Sequence, residues 1–559
     1  MTNKEIANAF SLLADIMELH DENQFKIRSY RNAYLALRKL DRPLTAMSDG
    51  EIGAIPGVGA AISDKIRQLL TSGTMKTLED YRAKTPAGVV EMLQVNGFGP
   101  KKVRTVWQEM GIESVGELWY ACNENRLVEI KGFGAKTQED LRQKLEYFLK
   151  SRGKLHLDAA EEEADFVAAW LAGRLPGAQV LAVGELRRRC PVVEKVELLV
   201  SYDGSDWAQA FDDQTLVLEK EEENKSLARL ENGTEVTLHR CAPGEFGSKI
   251  FLLTGHRAFN EAFVQNSPGV DFRNLPTEAE VFAKAGLPFV APELRENGDI
   301  VAAAKSGSLP QLIENEDIRG VLHVHTTWSD GANTLREMCL QARDLGYSYI
   351  GITDHSQSAF YANGLKPDRV LAQMAEIEAL NAELAPFRIF KGIESDILND
   401  GSLDYAPEIL DKFDFVVASV HSNLKMPIEK ATERVLRAIE NPRTAILGHP
   451  TGRLLLSREG YPLDWPRILD ACARHGVAIE LNANPHRLDI DWTLIREATG
   501  RGIRIAINPD AHSREGIRDI RFGLFAARKG WLTAAQCLNY LDAAGFAGWL
   551  RERGEVLKK

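Results

Sequence analysis

Leu322-His323-Val324-His325-Thr326-Thr327-Trp328-Ser329-Asp330 places two histidines one residue apart at the end of an apolar run. In a β-strand both imidazoles would point to the same side, because side chains alternate along a strand. Eight of the twelve histidines follow residue 320, and six of these eight lie in short motifs. The later motifs are Ile352-Thr353-Asp354-His355, Gly392-Ile393-Glu394, Ser419-Val420-His421-Ser422, Leu447-Gly448-His449-Pro450 and Pro509-Asp510-Ala511-His512.

Seven short apolar runs precede or contain these motifs: VLHVH, YIGITDH, RIFKGIE, FDFVVASVH, TAILGH, VAIELN and IRIAINPDAH. Segments of helical character lie between them, at residues 335–345, 367–384, 428–439 and 465–475. Alternating strands and helices predict a parallel barrel, and such barrels carry their sites at the carboxyl ends of the strands. Six of the seven runs place a candidate ligand at or just past that end.

The types of ligand indicate the chemistry of the predicted site. Imidazoles combined with carboxylates suit zinc, manganese or iron, and the lack of thiolate ligands argues against a purely structural zinc site. Metal ions about 3.5–4 Å apart lower the pKa of a shared water molecule and hold the oxygens of a phosphate group. The pattern therefore predicts a multi-metal phosphoesterase.

Composition sets the context for this site. The 559 residues suit about three to four domains. The net charge is −12, but residues 1–154 have 23 basic and 20 acidic residues (+3) against 45 and 60 (−15) in the remainder. Because its net charge is slightly positive, the N-terminal part could bind phosphate groups. The six cysteines form no CxxC pair, and no signal peptide or membrane span is visible, so a cytoplasmic location is expected.

The N-terminal part contains three copies of one small motif, IPGVGAAISDKIRQLL (55–70), VNGFGPKKVRTVWQEM (95–110) and IKGFGAKTQEDLRQKL (130–145). Each has a Gly-x-Gly turn before a helix with basic residues near its start, which lets backbone N–H groups approach an anion. A lone copy would be interpreted as a helix C-cap. Three copies resemble helix-hairpin-helix motifs, which grip the DNA backbone without reading its sequence. The candidate DNA-binding residues are Gly57, Gly59, Lys65, Gly97, Gly99, Lys101, Lys102, Gly132, Gly134 and Lys136.

Further segments resemble the bacterial and archaeal family X DNA polymerases, often called PolX. They are Phe25-Lys26-Ile27-Arg28-Ser29-Tyr30-Arg31, Ala182-Val183-Gly184-Glu185-Leu186-Arg187-Arg188, Leu253-Thr254-Gly255, Leu294-Arg295-Glu296 and Ser308-Leu309-Pro310-Gln311-Leu312-Ile313. The resemblance implies a multidomain α+β and α/β chain. Its expected parts are a lyase-like domain (1–80), a fingers-like domain (81–153), a nucleotidyltransferase-like palm (154–260), a thumb (261–315) and a PHP (polymerase and histidinol phosphatase) domain (320–559). Lys65 stands where some relatives carry a Schiff-base lysine, although pairing with a phosphate is the preferred interpretation.

The palm departs from the family pattern where its chemistry would lie. The family's Asp-x-Asp falls on Lys195-Val196-Glu197, its third aspartate on Thr237, and its triphosphate-binding serine on Glu185, close to Arg188. Lysine cannot coordinate magnesium, so magnesium is not expected in this palm. The sequence therefore predicts weak or absent polymerase activity. An active palm in which Glu197 and Glu235 recruit metal is the weaker alternative.

The C-terminal motifs resemble the PHP family, which implies a distorted seven-stranded barrel with three metal ions. Carried over by motif, His323, His325, Glu394 and Asp510 would hold the first metal, and Glu394 would bridge to the second, which His421 also binds. Asp330, His355, His449 and His512 would complete the set. Arg453 resembles a phosphate clamp, Arg487 is a second candidate, and Asp354 is expected to contact a ligand. His475 and His486 match no motif position and are interpreted as ordinary histidines.

The leading functional hypothesis is a DNA-repair metallonuclease, with hairpins that hold DNA and a barrel that hydrolyses phosphodiesters. The resemblance implies 3′-to-5′ exonuclease action, with cleavage at abasic sites as an extension, on gapped DNA or 3′ ends. The alternatives are an active gap-filling polymerase, a small-molecule phosphatase of the histidinol-phosphatase type, and a DNA-binding scaffold without activity. The three hairpins count against the phosphatase, since a small substrate needs no DNA grip. The oligomeric state is left open, with a monomer among the options.

Overall fold

The computed structural model describes residues 1–123, 127, 130, 132–150, 153–204, 207–211, 214–456 and 459–556. The chain divides into two compact units, Met1–Arg152 and Gly153–Lys559. In the described part of the chain, no helix is long and apolar enough to cross a membrane.

The first unit is helical. Its first helix shows how local sequence sets the start and the buried face: Thr2 and Glu5 form a capping box, and Ile6, Phe10 and Leu13 turn inward at helical spacing. The helices of this unit are α1 (Asn3–Leu19), α2 (Gln24–Leu37), α3 (Asp49–Gly53), α4 (Ala60–Ser72), α5 (Lys76–Arg82), α6 (Ala87–Met92), α7 (Pro100–Met110), α8 (Val115–Asn123) and α9 (Ala135–Lys150).

The three Gly-x-Gly segments form the same turn three times. The first glycine of each pair has a left-handed backbone, with φ of +88° at Gly57, +73° at Gly97 and +94° at Gly132. A side chain would be strained in this conformation, which explains glycine at each position. The second glycine directly precedes α4, α7 or α9. Lys131, in the third motif, lies outside the described residues.

The second unit begins with a five-stranded mixed sheet in the order β2-β4-β7-β6-β5, while β1 pairs with β3 in a separate ribbon. In the central pair, parallel strands β4 and β7 place Glu197 opposite Thr237. The elements of this part are β1 (Leu155–His156), α10 (Leu157–Arg174), β2 (Gln179–Ala182), α11 (Gly184–Arg187), β3 (Val192–Val193), β4 (Val196–Ser201), β5 (Leu216–Glu222), β6 (Lys225–Leu230), β7 (Glu235–Cys241), α12 (Phe246–Thr254), α13 (Arg257–Gln265), α14 (Glu278–Lys284) and α15 (Asp299–Lys305).

A seven-stranded sheet follows in the order β14-β13-β12-β11-β10-β9-β8, and every pair in it is parallel. Its elements are β8 (Gly320–Val321), α16 (Leu335–Asp344), β9 (Tyr349–Ile352), α17 (Pro367–Leu384), β10 (Arg388–Asp396), α18 (Pro407–Leu410), β11 (Phe415–Ser419), α19 (Ile428–Glu440), β12 (Thr444–Leu447), α20 (Trp465–His475), β13 (Ala478–Asn482), α21 (Trp492–Gly500), β14 (Ile505–Asn508), α22 (Ile520–Lys529) and α23 (Ala543–Val556).

The sheet nearly closes into a barrel. Beyond its two edge strands, Val324 and Ala511 form a parallel bridge, and the His325 N–H donates to the Ala511 carbonyl at 2.9 Å. The strands are almost wholly buried and apolar, as expected for parallel strands covered by helices. One apolar core runs from the mixed sheet into the barrel. The expected fold class is confirmed: helical hairpins, a mixed α/β middle and a seven-stranded parallel barrel.

Candidate metal centre

The seven barrel strands deliver polar side chains to one end of the barrel. The strand order and the parallel direction place all carboxyl ends on the same side. The nine expected ligands come together there: His323, His325 and Asp330 after β8, His355 after β9, Glu394 in β10, His421 after β11, His449 after β12, and Asp510 and His512 after β14.

The Glu394 carboxylate lies at the middle of this group. It is 1% exposed, and its oxygens contact five imidazoles from four strand ends. The distances to it are 3.4 Å from His323 Nε2, 3.6 Å from His325 Nε2, 2.9 Å from His355 Nδ1, 3.1 Å from His421 Nε2 and 2.9 Å from His449 Nε2.

Among the described residues, three sets of ligand atoms in this region lie within 4.8 Å of one another. They are His323/His325/Asp510, His355/Glu394/His421, and His325/Asp330/His355/His512. The last set is the most accessible, because the side chains of Asp330 and His512 are 35% and 41% exposed. The centre thus has a buried interior and one open side.

Two carboxylates that are not among the nine expected ligands orient the imidazoles. The Nδ1–H groups of His323 and His421 donate to Glu480 at 2.7 Å and to Asp396 at 2.6 Å. Such contacts fix the ring and leave Nε2 free to bind a cation. Sequence reasoning missed both acids. Glu480 left only a faint signal, as the single acid in the run VAIELN of β13, the strand that had no expected ligand.

Asp354 is buried, and its backbone carbonyl accepts from the N–H of the expected ligand Glu394 at 3.2 Å, while its carboxylate bonds to other residues. It accepts hydrogen bonds from Thr326, Ser329 and Gln373, and so holds the loop that follows His325. This loop carries Asp330. Asp354 therefore supports the centre through the backbone of the first motif.

Burial and charge act against each other on the pKa values of the centre. Burial alone would lower the pKa of His421, but the carboxylates of Glu394 and Asp396 raise it to about 10. For His325, burial and the neighbouring rings of His512 and His355 lower the pKa to about 3. Burial would raise the pKa of Glu394, yet the surrounding imidazoles hold it well below its usual range. Opposite charges are therefore packed together in the buried interior of the centre.

The donor set fits metal ions. Buried atoms with no hydrogen-bond partner include Nε2 of His323, both ring nitrogens of His325, Oε2 of Glu394 and Nδ1 of His449. Buried polar atoms are normally satisfied, and lone pairs that converge in this way are satisfied by cations. Asp510 is held in a left-handed backbone conformation, with φ of +51°. Strain of this kind concentrates at functional sites.

The two candidate arginines have different surroundings. The Arg453 guanidinium is occupied by protein partners: it contacts Asp491 Oδ2 at 2.7 Å, the Arg487 carbonyl at 2.9 Å and the Leu488 carbonyl. Arg487 lies nearer to the ligands, with Nε 3.7 Å from Asp510 Oδ2. The geometry therefore favours Arg487 over Arg453 as the residue that meets a phosphate.

In the five-stranded mixed sheet, Glu197 is bound within the protein. Its Oε1 contacts His239 Nε2 at 3.1 Å. Its Oε2 packs closely against Gly184, because a Cβ added to this glycine would lie only 2.5 Å from the oxygen. The Glu185 carboxylate accepts from the Glu194 N–H at 2.6 Å, and Lys195 is exposed. Over the residues that the structure describes, this sheet brings no three ligand atoms together.

Arg188 is also tied to the protein. Its Nε contacts Glu296 Oε1 at 3.0 Å, its Nη1 donates to the Thr254 carbonyl, and Lys529 binds the same glutamate. Lys529 ends α22 of the barrel part. Arg188 therefore joins the mixed sheet to the barrel.

The hairpin lysines lie on the surface of the first unit. Lys101 and Lys136 are exposed, and Lys102 lies 5.9 Å from the Phe133 ring centroid. Lys65 lies 5.9 Å from the Tyr30 centroid, and its Nζ contacts the Ala61 carbonyl at 3.5 Å. Lys101, Lys102 and Lys136 lie in the first turns of helices that follow the glycine turns, where an anion is favoured, while Lys65 is the sixth residue of α4.

Comparison with known families agrees with two of the three structural regions, the helical unit and the barrel. Residues 1–75 match the helix-hairpin-helix domain, residues 89–146 the SAM-like helix-hairpin-helix tandem, and residues 322–484 the PHP domain. These matches place DNA-binding folds in the first unit and a metal-binding type of barrel in the second.

The curated relatives differ in how much of this chain they match. A probable phosphatase of Thermoanaerobacter sp. (strain X514) is 27% identical over 41% of this chain and 94% of its own length. One of Acetivibrio thermocellus is 30% identical over 34% and 78%. The DNA polymerase/3′-5′ exonuclease PolX of Bacillus subtilis (strain 168) is 33% identical over 96% of this chain and 97% of its own. Because this last similarity spans both chains almost completely, the protein belongs to the PolX family.

Proposed function

We propose that the barrel is a metal-dependent phosphodiesterase that removes nucleotides from the 3′ end of DNA. The observation that carries this proposal is the Glu394 carboxylate, buried among five imidazoles with acids on either side. Such a donor set has no use in a purely structural core, where each buried charge costs free energy. The Bacillus subtilis relative is named a 3′-5′ exonuclease, which supports the same direction of attack.

Three divalent transition metals, manganese, zinc or iron, are proposed for the three ligand sets. His323, His325 and Asp510 would hold one, Glu394 would bridge to a second with His355 and His421, and the third would lie at Asp330 and His512. Bound there, the metals would supply an activated water molecule and neutralise the charge on the phosphate. His449 contacts the bridging carboxylate at 2.9 Å and belongs to this set.

The protein's own residues orient the substrate and exclude water. We expect the phosphodiester to enter on the open side, past Asp330 and His512, since six of the other seven candidate ligands are buried and the His421 side chain is only 11% exposed. Arg487 then meets a phosphate oxygen. Glu480 and Asp396 keep His323 and His421 in the orientation that presents Nε2.

The first unit is proposed to hold DNA by its backbone. Helix N-termini after three glycine turns, with Lys101, Lys102 and Lys136 beside them, suit phosphate contacts without base readout. Gapped DNA, 3′ ends and abasic sites are the expected substrates in DNA repair. The five-part division at 1–80, 81–153, 154–260, 261–315 and 320–559 belongs to this proposal. So does a cytoplasmic location, which the six free cysteines suit.

Polymerase activity is proposed to be weak or lost. Two-metal nucleotidyl transfer needs several carboxylates at one point. Here Glu197 is paired with His239, the family's other positions are Lys195 and Thr237, and Glu185 would repel a triphosphate. Burial would raise the pKa of Glu197, but the His239 contact and the charges of Lys195 and Lys225 outweigh it and lower the pKa, so protein groups already stabilise this carboxylate.

A small-molecule phosphatase is the second candidate. It is favoured by the probable phosphatases, which match most of their own length to only 34–41% of this chain. Against it, the chain carries three hairpin motifs that a small substrate would not need. A comparison of hydrolysis rates on single-stranded DNA and on a phosphate monoester separates the two functions.

The test of the main proposal uses the full chain, Mn²⁺ and a DNA strand labelled at its 5′ end. A ladder of successively shorter labelled strands is expected, because removal proceeds from the unlabelled 3′ end. The His323→Ala variant should lower the rate by more than about 100-fold, since outer carboxylates alone account for about 10–100-fold at metal sites.

His475→Ala is the matched control, because this histidine lies in the last turn of α20 and outside the centre. Immediate release of a short labelled fragment would reveal the opposite polarity. Degradation that survives His323→Ala would remove the barrel from consideration as the active site.

A further inference from the structure

A fourth group of ligand-type side chains lies apart from the barrel's metal centre. It consists of His156, Asp158 and His486, each of which offers one ligand atom within 4.8 Å of the other two. The two rings lie with centroids 4.2 Å apart and planes at 54°, and His486 Nε2 is 3.8 Å from Asp158 Oδ2. His156 and Asp158 flank the start of α10, while His486 follows β13 of the barrel. The group therefore joins two parts of the second unit that are more than 300 residues apart in sequence.

The hydrogen bond of His156 determines which nitrogen is available. Its Nε2 lies 3.0 Å from the Leu455 carbonyl oxygen, which can only accept, so Nε2 carries the proton and Nδ1 keeps its lone pair. A histidine whose second nitrogen donates to a backbone carbonyl is the usual arrangement at a metal site. The Leu455 N–H in turn donates to the His486 carbonyl at 2.8 Å, so the same residue holds both histidines.

Asp158 contributes a carboxylate with spare capacity. Its Oδ1 is buried and has no hydrogen-bond partner. Asp158 lies in the first turn of α10, where the helix dipole favours negative charge, and this position alone could explain why an acid occurs there. The dipole does not account for two imidazoles in contact with each other beside this carboxylate. A buried oxygen without a donor costs free energy, and a bound cation would recover that cost.

We propose that His156, Asp158 and His486 form a fourth metal site, specific for a transition metal such as Zn²⁺. Two imidazoles and one carboxylate are typical ligands of zinc. A fourth position, open to solvent at the exposed His486, would be filled by water. The site is distinct from the phosphoesterase centre, because none of its three residues belongs to the ligand sets there.

The position of this site suggests its role. His486 directly precedes Arg487, whose Nε lies 3.7 Å from Asp510 Oδ2 of the main centre. The Arg487 carbonyl is held by Arg453. A metal that joins His486 to His156 would therefore fix the segment that presents Arg487, and would fasten the polymerase-like part to the rim of the barrel.

The test counts bound metal in the full chain, so that it does not depend on any activity. Metal-free protein is dialysed against buffered Zn²⁺, and zinc per chain is measured by mass spectrometry. We expect His156→Ala and His486→Asn each to bind one zinc ion fewer than the wild-type chain. His475→Ala, another histidine of the same part, should bind as many as the wild type.

A second pair of variants separates this site from the main centre. In a Glu394→Ala background, His486→Asn should again remove one zinc ion, although the main centre is already damaged. His486 is exposed in a loop, so its replacement leaves the core unchanged. Equal zinc content with and without His486, in both backgrounds, would overturn the proposal.

Discussion

Single residues next to the ligands control how firmly the barrel can hold metal. Glu480 is fully buried, accepts the His323 Nδ1–H at 2.7 Å, and also binds the His449 N–H and the Asn508 amide. Glu480→Gln keeps the shape and removes the charge that orients His323. We expect the affinity for Mn²⁺ to fall about 10–100-fold, as for other partners of metal ligands. Titration calorimetry of the metal-free protein measures this change.

The matched control is Glu497→Gln, because this glutamate pairs with Arg501 on the exposed surface of α21. Its affinity for Mn²⁺ should equal that of the wild type. If Glu480→Gln binds Mn²⁺ as tightly as the wild type does, the histidine does not depend on this carboxylate.

The two arginines at the rim should respond differently to replacement. Arg487→Ala should lower kcat/KM on DNA by roughly 10-fold or more, because a charge-assisted hydrogen bond to phosphate is worth about 1.5–3 kcal/mol. Arg453→Ala should mainly lower the melting temperature, since its guanidinium satisfies Asp491 and two carbonyls. Nuclease rates and thermal unfolding of both variants check this division. A stable Arg453→Ala protein with a larger decrease in kcat/KM than Arg487→Ala would reverse it.

The sequence motifs could predict the nine candidate ligands, but not the side chains that hold these ligands in position. His323 and His325 stand two apart at a strand end, and strand alternation brings them to one side. Glu480 meets His323 across 157 residues, and no local pattern indicates such a contact. The partners of Arg453 could not be predicted from local sequence either. Its motif suggested a phosphate clamp, while its actual partners, Asp491 and two carbonyls, come from a loop more than 30 residues away.

At the scale of elements, the helical hairpins should account for the salt dependence of DNA binding. Each lysine that no longer neutralises a phosphate reduces the slope of log K against log salt by about 0.9 for duplex DNA. Lys101→Ala with Lys102→Ala should therefore reduce the slope by up to about 2 and weaken binding to all sequences alike. Fluorescence anisotropy over a salt series measures it.

Lys220→Ala serves as the control for charge, because this lysine is 69% exposed and pairs with Glu222 at the edge of the mixed sheet. It should leave the slope unchanged. An unchanged slope in the double hairpin variant would mean that this hairpin does not meet the DNA backbone.

A buried ion network holds α11 and α14 together. Glu278 binds Arg187 Nη2 at 2.7 Å and Arg295 Nη1 at 2.5 Å, and Arg295 is fully buried. Glu278→Gln leaves both cations without a counter-charge, so we expect a decrease of about 3–5 kcal/mol in the free energy of unfolding. Urea denaturation at pH 7 measures it, and a decrease below about 1 kcal/mol would contradict it.

The same network predicts a pH dependence. Burial alone would raise the pKa of Glu278, but Arg187 and Arg295 outweigh it and lower the pKa below 4.5. A carboxylate whose pKa is depressed on folding stabilises the protein above its ordinary pKa, and this contribution disappears as the pH falls through the folded value. The difference in stability between wild type and Glu278→Gln should therefore shrink below about pH 4. A difference that stays constant down to about pH 3 would contradict this assignment.

For the whole molecule, the alternation of strand and helix predicted the barrel, because each βα unit has a regular length and an apolar strand. The joint between the mixed sheet and the barrel could not be predicted. It includes His156 of the two-residue strand β1, whose Nε2 lies 3.0 Å from the Leu455 carbonyl oxygen, and Lys529, a buried lysine that reaches Glu296 and the Arg188 carbonyl. Neither a two-residue strand nor a single lysine has a periodic pattern in the sequence.

The candidate residues for phosphodiester chemistry are therefore concentrated in the barrel. Glu197 is bound to His239 in the mixed sheet, and nine candidate ligands converge in the barrel. We therefore expect the barrel alone to act on the DNA backbone.

Primer length in the presence of all four nucleotides tests this expectation most directly. The wild-type chain and His323→Ala are incubated with Mn²⁺ and a gapped DNA whose primer is labelled at its 5′ end. We predict that the wild type shortens the primer, and that His323→Ala leaves its length unchanged. A primer that grows longer with His323→Ala would contradict an inactive palm, because the palm would then be an active polymerase.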